Sequence, residues 1–412
     1  MNAKARGEVY DVAVSGGGVV GGTLAGLLAL QGFSVCLISR ERPAEWDPND
    51  HHPRVNAVNH SSIRIFRHLG IWEDIRSKRV SPYFRMTVWE RDTGGLITFD
   101  ARDIRVPHLG AIIENNAVTS SLFDFLERQP NVAIVGESGL QEIAARPDGL
   151  RLHTDSGCDI LCRLLVGADG GESATRTLSG IGSTEYETGQ RAIVAEVVPE
   201  NGHDNTAWQV FLPTGPAALL PLRNGRCSLV WSCDEEYFDE MMALDDAGFC
   251  QALSSCFQGR PGEIVQCGKR HSFPLRQHHA DTYIAERVAL IGDAAHSIHP
   301  LAGLGANIGL LDAASLSQVL GQAAERGRDF AAHAALRRYE RWRKGENAMV
   351  LTAMRGFKTL FGSEIPGSRA IGGAGLMLAD RLAPLKKMLA GYAMGDIGDL
   401  PAICSASKKA DI

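Results

Sequence analysis

Tyr10-Asp-Val-Ala-Val-Ser-Gly-Gly-Gly-Val-Val-Gly-Gly-Thr-Leu-Ala-Gly-Leu-Leu-Ala-Leu30 decides how this chain is read. Five residues that suit a buried strand run into a glycine cluster, and an apolar helix pattern follows. Gly16, Gly18 and Gly21 fit G-x-G-x-x-G. The first glycine lets the chain turn, the second lets backbone approach a pyrophosphate, and the third lets the helix pack close to its strand. Phe33 to Ile38 supplies the next strand of a β-α-β unit, and Gly17 and Gly22 exceed what a plain turn needs. A dinucleotide site is expected here, with a structural glycine-rich turn as the alternative. The usual carboxylate at the end of the second strand is missing. Ser39 stands there, followed by Arg40 and Glu41. A serine makes one or two hydrogen bonds to a ribose where a carboxylate offers paired acceptors. Arg40 is placed to stack on an adenine or contact phosphate.

A second stretch completes this picture. Val288 to Ile291 reads as a short buried strand ending at Gly292-Asp293-Ala-Ala-His296-Ser-Ile-His-Pro300. Gly303, Gly305 and Ala306 then lead into an apolar helix pattern from about Asn307. The N-terminus of that helix suits a flat ring that turns anionic on reduction, and Asp293 can accept hydrogen bonds from a polyol. An ordinary strand-to-helix turn punctuated by Gly and Pro is the plainer reading. Between these two stretches, Gly167-Ala-Asp169-Gly170 with Ser173 and Arg176 is another strand-end turn holding an acid. It is a further candidate for the ligand site or a self-contained Asx turn.

The 412 residues, 44% of them hydrophobic, are ample for more than one domain, and a net charge of −6 gives no global pointer to nucleic acid. Nine cysteines with no C-x-x-C pair argue against zinc and against a disulfide framework, and imply reduced thiols in a cytosolic protein. The polar N-terminus leaves no room for a signal or transit peptide before the first strand. No apolar run approaches a membrane span.

Tyr83 to Glu90 and Gly95 to Asp100 read as paired strands, and Ala192 to Phe273 alternates as an antiparallel sheet with one helix near Asp245 to Phe257. Trp208, Phe211, Leu220 and Trp231 read as its core. The dinucleotide domain is therefore discontinuous. Arg54 follows a polar loop, where a helix entry is expected. Beyond Phe330 the pattern is helical. The basic run Arg337, Arg338, Arg341, Arg343 and Lys344 precedes Met349, Val350, Leu351, Met354, Phe357, Leu360 and Phe361. Such a segment docks on an anionic membrane or a partner, or packs its apolar face on the core. Lys386-Lys387-Met-Leu is a shorter candidate of the same kind.

The three ordered glycine-containing motifs resemble those of the flavin-dependent aromatic hydroxylases built like para-hydroxybenzoate hydroxylase. Arg54-Val-Asn-Ala-Val, Leu69-Gly-Ile-Trp, Ile113-Glu-Asn115, Leu219-Leu-Pro-Leu222, Leu229-Val-Trp231 and His299-Pro-Leu-Ala-Gly resemble the ubiquinone-biosynthesis branch. Within it, Thr206 to Trp231 is most similar to the hydroxylase acting late, on the methoxylated and methylated benzoquinol ring.

The resemblance implies an α/β fold with a Rossmann-like FAD-binding domain, an antiparallel-sheet substrate domain and a helical C-terminal segment. Residues 1–80, 107–184 and 275–335 would form the first, 81–106 and 185–274 the second, and 336–412 the third. It implies one FAD, NAD(P)H as co-substrate, O2, and hydroxylation of a polyprenylated phenol or benzoquinol. Gly16, Gly18, Gly21, Ser39 and Arg40 would face the ADP half, with Asn115 and Asp169 near the cofactor and Asp293 on the ribityl chain. Gly303, Gly305, Ala306 and Asn307 would cradle the pyrimidine end, and Arg54, His296 and Pro300 would line the flavin face. The branch carries Glu where this chain has Ser39, Gln where it has Leu304 and Ser where it has Asn56. It also implies a cytoplasmic bacterial protein with peripheral inner-membrane contact through the C-terminal segment and a place in a ubiquinone-biosynthesis complex. A non-catalytic flavin-fold scaffold subunit and a hydroxylase of a soluble aromatic are the competing expectations.

Overall fold

The structure is a computed structural model that describes residues 9–49, 51–297, 304–362 and 368–405. Its first sheet has eight strands. The strands Val288–Leu290, Asp159–Gly167, Val9–Ser15, Val35–Ser39 and Val132–Gly136 run parallel in that spatial order. Register matters more than strand number for the site. Ser15 pairs with both Ile38 and Gly167, and Gly167 pairs with Leu290. The carboxyl ends of four strands therefore stand side by side, and Gly16, Ser39, Ala168 and Ile291 all leave the sheet at one edge. Open parallel sheets bind ligands at such an edge, where the strand order reverses direction.

The Val19–Leu30 helix is buried on nearly every side, as its uniformly apolar sequence requires. It packs between the Leu304–Glu325 and Asn115–Glu127 helices. Glycine allows this closeness: a Cβ on Gly21 would sit 1.9 Å from the Gly16 carbonyl oxygen.

The second sheet has nine strands and is built around the long Ser183–Pro199 strand. It includes Arg85–Glu90 and Leu96–Asp100 at one edge and the two-residue strand His296–Ser297 at the other. Two helices, Glu235–Ala243 and Asp246–Cys256, cover it where the sequence pattern indicated one. Trp89, Trp231, Phe249 and Phe257 are fully buried in its core. Truncating such a ring to alanine costs about 3–5 kcal/mol. Trp208 and Leu220 are half-buried at its margin. A small third sheet, Val55–Val58, Gly110–Glu114 and Val80–Tyr83, joins the two larger units.

The His333–Gly362 helix carries the basic-then-apolar segment. Leu351 and Phe361 are buried, and Phe361 stacks on Phe211 of the second sheet with ring centroids 4.3 Å apart. Arg343, from the basic run, is only 2% exposed along its side chain. The segment packs on the core in part, since Met349, Arg337, Arg338 and Arg341 are exposed. The Ser368–Arg381 and Ala383–Ala393 helices follow along the Leu96–Asp100 edge. The chain then returns to the first unit, where Asp396 pairs with His60 at 2.9 Å and with Arg64 at 2.8 Å. Among the described residues no helix is long and apolar enough to cross a membrane.

Candidate functional site

A cavity of about 890 Å³ runs along the strand-end edge and under the second sheet. At one end it is walled by Ser39, Arg40 and Ser138, in the middle by Gly16 to Gly18 and Asn115, and farther on by Arg54, Asp293, Gly305 and Ala306. Val194, Val230 and Phe273 of the second sheet close the far end. The wall thus changes from polar and basic to aliphatic and aromatic along its length.

The glycines divide by what surrounds them. Gly16 adopts φ +115°, and a Cβ there would lie 2.2 Å from the Ala168 carbonyl oxygen. Gly18 and Gly305 have nothing within 4 Å of an added Cβ, although both line the cavity. Space left open beside a helix N-terminus is what a pyrophosphate needs. The site fits an extended dinucleotide: an anion-accepting turn, a polar adenosine end and a carboxylate facing the mid-cavity.

Ser39 is buried, and its hydroxyl donates to the Glu41 carbonyl at 2.7 Å. Its oxygen keeps lone pairs for a ribose hydroxyl, while Gly17 sits against it so closely that a Cβ would come within 2.3 Å. Arg40 is exposed at the cavity rim. Asn115 begins its helix and accepts from Asn56 Nδ2 at 3.3 Å, so both amides share one wall.

Asp169 lines the cavity but spends its carboxylate inside the chain. One oxygen accepts from the Ser173 hydroxyl at 2.5 Å and the other from Thr175 N–H and O–H at 2.9 Å each. That is the Asx-turn reading. Its neighbour Arg176 connects two motifs, donating to the Ala294 carbonyl at 3.0 Å, to Gly171 at 2.8 Å and to His278 Nε2 at 3.1 Å. Burial first, then the Arg176 charge, pushes the His278 imidazole down to about 4.

Arg54 precedes a strand, not a helix, because the Val55–Val58 segment pairs with Gly110–Glu114. Its guanidinium lies 5.2 Å from the Phe273 ring, and both residues line the cavity. Asp293 presents its surface to the cavity while the protein encloses it on other sides. That enclosure raises its pKa, against the opposing pull of His296 and Arg54.

Two expected site residues stand elsewhere. His296 turns away from the cavity: it is 1% exposed, and its Nε2 lies 2.5 Å from Asp312 Oδ2. A cationic or donor imidazole gains more from a buried carboxylate than from a solvent-filled cavity, so the ring points inward. Asn307 is also buried, with its side-chain oxygen accepting from Asn59 N–H at 3.0 Å and Ser62 O–H at 2.8 Å. Its NH₂ donates to the Ala57 carbonyl at 2.7 Å, which ties the helix start to the third sheet. Pro300 and Gly303 lie outside the described residues, as does the side chain of Leu304.

Sequence reading missed Asp312 and Arg343. Asp312 Oδ2 also accepts from the Gly292 N–H at 3.1 Å, so one oxygen holds both ends of the turn that carries Asp293. Arg343 Nε donates to Asp312 Oδ1 at 2.9 Å, and Asn347 donates to the same oxygen at 3.1 Å. Burial would raise the Asp312 pKa, but His296 and Arg343 overcome it and hold the carboxyl well below the usual range. The available signal was a lone acid at position 312 within the apolar run Ile308 to Ala314. A charge in that setting requires a buried partner.

The family model described as "FAD binding domain" matches residues 9–352. The chain is 34% identical to the 3-demethoxyubiquinol 3-hydroxylase of Escherichia coli (strain K12), over 93% of this chain and 98% of that protein. It is 32% identical to the mitochondrial ubiquinone biosynthesis monooxygenase COQ6 of Danio rerio, over 95% and 91% of the two chains. In fold it is similar to p-nitrophenol 4-monooxygenase PnpA from Pseudomonas putida DLL-E4, with a TM-score of 0.75, 21% identity, and 94% and 98% of the chains covered. The chain belongs to the FAD binding domain family and is an FAD-dependent monooxygenase.

Proposed function

We propose that this protein hydroxylates the ring of a polyprenylated benzoquinol or phenol in ubiquinone biosynthesis, with NAD(P)H and O2 as co-substrates. The observation that carries this reading is the one cavity that is polar and anion-accepting at Gly16–Gly18 and aliphatic at Val194 and Val230. Named relatives that align with nearly the whole chain act in ubiquinone biosynthesis. The segments 1–80, 107–184 and 275–335 serve the cofactor in this reading, and 81–106 and 185–274 serve the ring.

Bound FAD would pass two electrons from NAD(P)H to O2, of which one atom goes to the ring and the other leaves as water. The chain's own residues hold and enclose it. The N–H groups around Gly18 and the start of the Val19–Leu30 helix would take the pyrophosphate, and Ser39 and Arg40 the adenosine. Asp293 would accept from the ribityl hydroxyls, and Asn115, Gly305 and Ala306, which line the same cavity, would help hold the cofactor. Arg54, packed against Phe273, offers a guanidinium at the junction of the polar and apolar parts. Val194, Val230 and Phe273 keep water from the reacting ring.

A prenylated ring partitions into a bilayer, so the reading includes peripheral contact with a bacterial inner membrane and association with other proteins of the same pathway. The test is reconstitution with FAD, followed by NAD(P)H oxidation with and without a short-chain benzoquinol. Oxidation that accelerates with the benzoquinol and yields a hydroxylated ring supports the reading. Flavin-loaded protein that hydroxylates only unprenylated soluble phenols would point to the soluble-aromatic alternative.

A further inference from the structure

Eight of the fourteen large hydrophobic side chains exposed among the described residues fall between 371 and 397. They include Ile371, Leu378, Leu382, Met388, Leu389 and Tyr392. Isolated exposed hydrophobics need no explanation, but this concentration does. The Ser368–Arg381 helix shows its origin. Its inward positions are small: a Cβ on Gly373 would come within 2.1 Å of the Thr93 hydroxyl, and one on Gly372 within 2.5 Å of the Phe361 ring. From Ala370 to Leu378 its exposed positions, Ala370, Ile371, Ala374, Gly375, Met377 and Leu378, carry no charge, and the exposed Arg381 ends the helix. Rotating the helix to bury Ile371 and Leu378 would drive them into Thr93 and the Phe361 ring, which sit where only glycine fits. The apolar face is therefore held outward by the packing itself.

Charge selects what covers it. The two C-terminal helices carry four cations, Arg369, Arg381, Lys386 and Lys387, against one carboxylate, Asp380, on a chain with net charge −6. Lys386 pairs with Asp380 at 2.8 Å and Arg369 with Asp92 at 3.0 Å. Arg381 and Lys387 have no such partner among the described residues. A second copy seated on the same face would bring these cations toward each other. An anionic bilayer complements both features, taking the side chains into its interfacial layer and the cations at its headgroups.

We propose that the outward face of the Ser368–Arg381 and Ala383–Ala393 helices docks on an anionic lipid bilayer. The placement differs from the basic-then-apolar segment at 337–361, where Leu351 and Phe361 are buried and Met349 alone among its described large hydrophobics is exposed. The proposal rests on the prenylated-substrate reading only for its purpose, since the surface itself is a physical fact of the chain.

The experiment is flotation of the full chain with vesicles of phosphatidylcholine, alone and mixed with phosphatidylglycerol. The protein should float with the mixed vesicles, less so at high salt. Arg381→Gln with Lys387→Gln should weaken partitioning roughly 30-fold, given about 1 kcal/mol per basic residue near such a surface. Leu378→Glu with Leu389→Glu should abolish flotation while leaving turnover of a water-soluble short-chain benzoquinol unchanged, since both residues are exposed. A wild-type chain that stays with the soluble fraction overturns the proposal. So does a wild-type dimer in solution that the Leu378→Glu, Leu389→Glu pair dissolves. Flotation without benzoquinol turnover would sink the substrate reading and leave the docking face standing; turnover without flotation would do the reverse.

Discussion

Asp312 and His296 meet at 2.5 Å in a place that solvent does not reach, sixteen residues apart and on opposite sides of the candidate cofactor turn. The same Asp312 oxygen takes the Gly292 N–H, so the turn bearing Asp293 is fastened at its first and last positions by one side chain. Replacing Asp312 with alanine takes from the buried Arg343 one of its two carboxylate partners, Glu346 being the other, and takes from His296 the acid it meets. Loss of one partner from a buried pair costs about 3–5 kcal/mol. Urea unfolding of the apoprotein should show a loss of that size. Asp312→Asn keeps the shape and should fold, yet weaken FAD about 10- to 100-fold in a fluorescence titration, through the loosened turn. An Asn variant with wild-type FAD affinity would show that the turn holds itself.

The two glycines of the first turn should fail in different ways. Gly18 has φ −70° and open space where a Cβ would go, so Gly18→Ala should fold normally and lose FAD. Gly21→Ala places a methyl 1.9 Å from the Gly16 carbonyl and should lower thermal stability even without FAD. Overpacking of this kind costs about 1–3 kcal/mol. Equal melting temperatures for the two apoproteins would contradict this division.

These motifs were legible because their constraint is local. A turn that must approach a phosphate and a helix that must approach its strand both demand glycine within a few residues, and Gly16, Gly18 and Gly21 record that demand. The pairing of Asp312 with His296 and Arg343 was not legible, since it depends on how the Leu304–Glu325 and His333–Gly362 helices cross. In sequence Arg343 is one of a basic run, whereas burial singles it out. The family resemblance implies Asn307 as a cofactor contact. Its side chain instead serves Asn59, Ser62 and Ala57, contacts that no spacing announces.

Ser39 marks where the adenosine ribose is expected, and it offers less than a carboxylate. Ser39→Glu should tighten FAD about tenfold, since a hydrogen bond to a charged group exceeds one to a neutral hydroxyl by roughly that free energy. Isothermal titration of the two apoproteins gives the comparison. Weaker binding in the variant would indicate that the Gly17–Ser39 approach leaves no room for the longer side chain.

Two histidines link stability to pH. Burial is the largest cause of depression at both His278 and His108, and each falls to about 4 from an ordinary value of 6.5. Between these values the unfolded chain binds more protons than the native one, so stability rises with pH. The contribution is fully present above about 6.5 and is lost as pH falls toward 4. Urea midpoints should therefore drop between pH 7 and pH 5. His278→Gln keeps an acceptor for Arg176 and should flatten part of that slope. An unchanged slope would remove His278 from the account.

The central claim is oxygen transfer to a prenylated ring by FAD held in this cavity. The most direct measurement is mass spectrometry of a short-prenyl benzoquinol after turnover with FAD, NAD(P)H and isotopically labelled dioxygen. The expected product has one added oxygen that carries the label, and Gly18→Ala should form little of it. A protein that binds FAD and consumes NAD(P)H but leaves the ring unlabelled would contradict it.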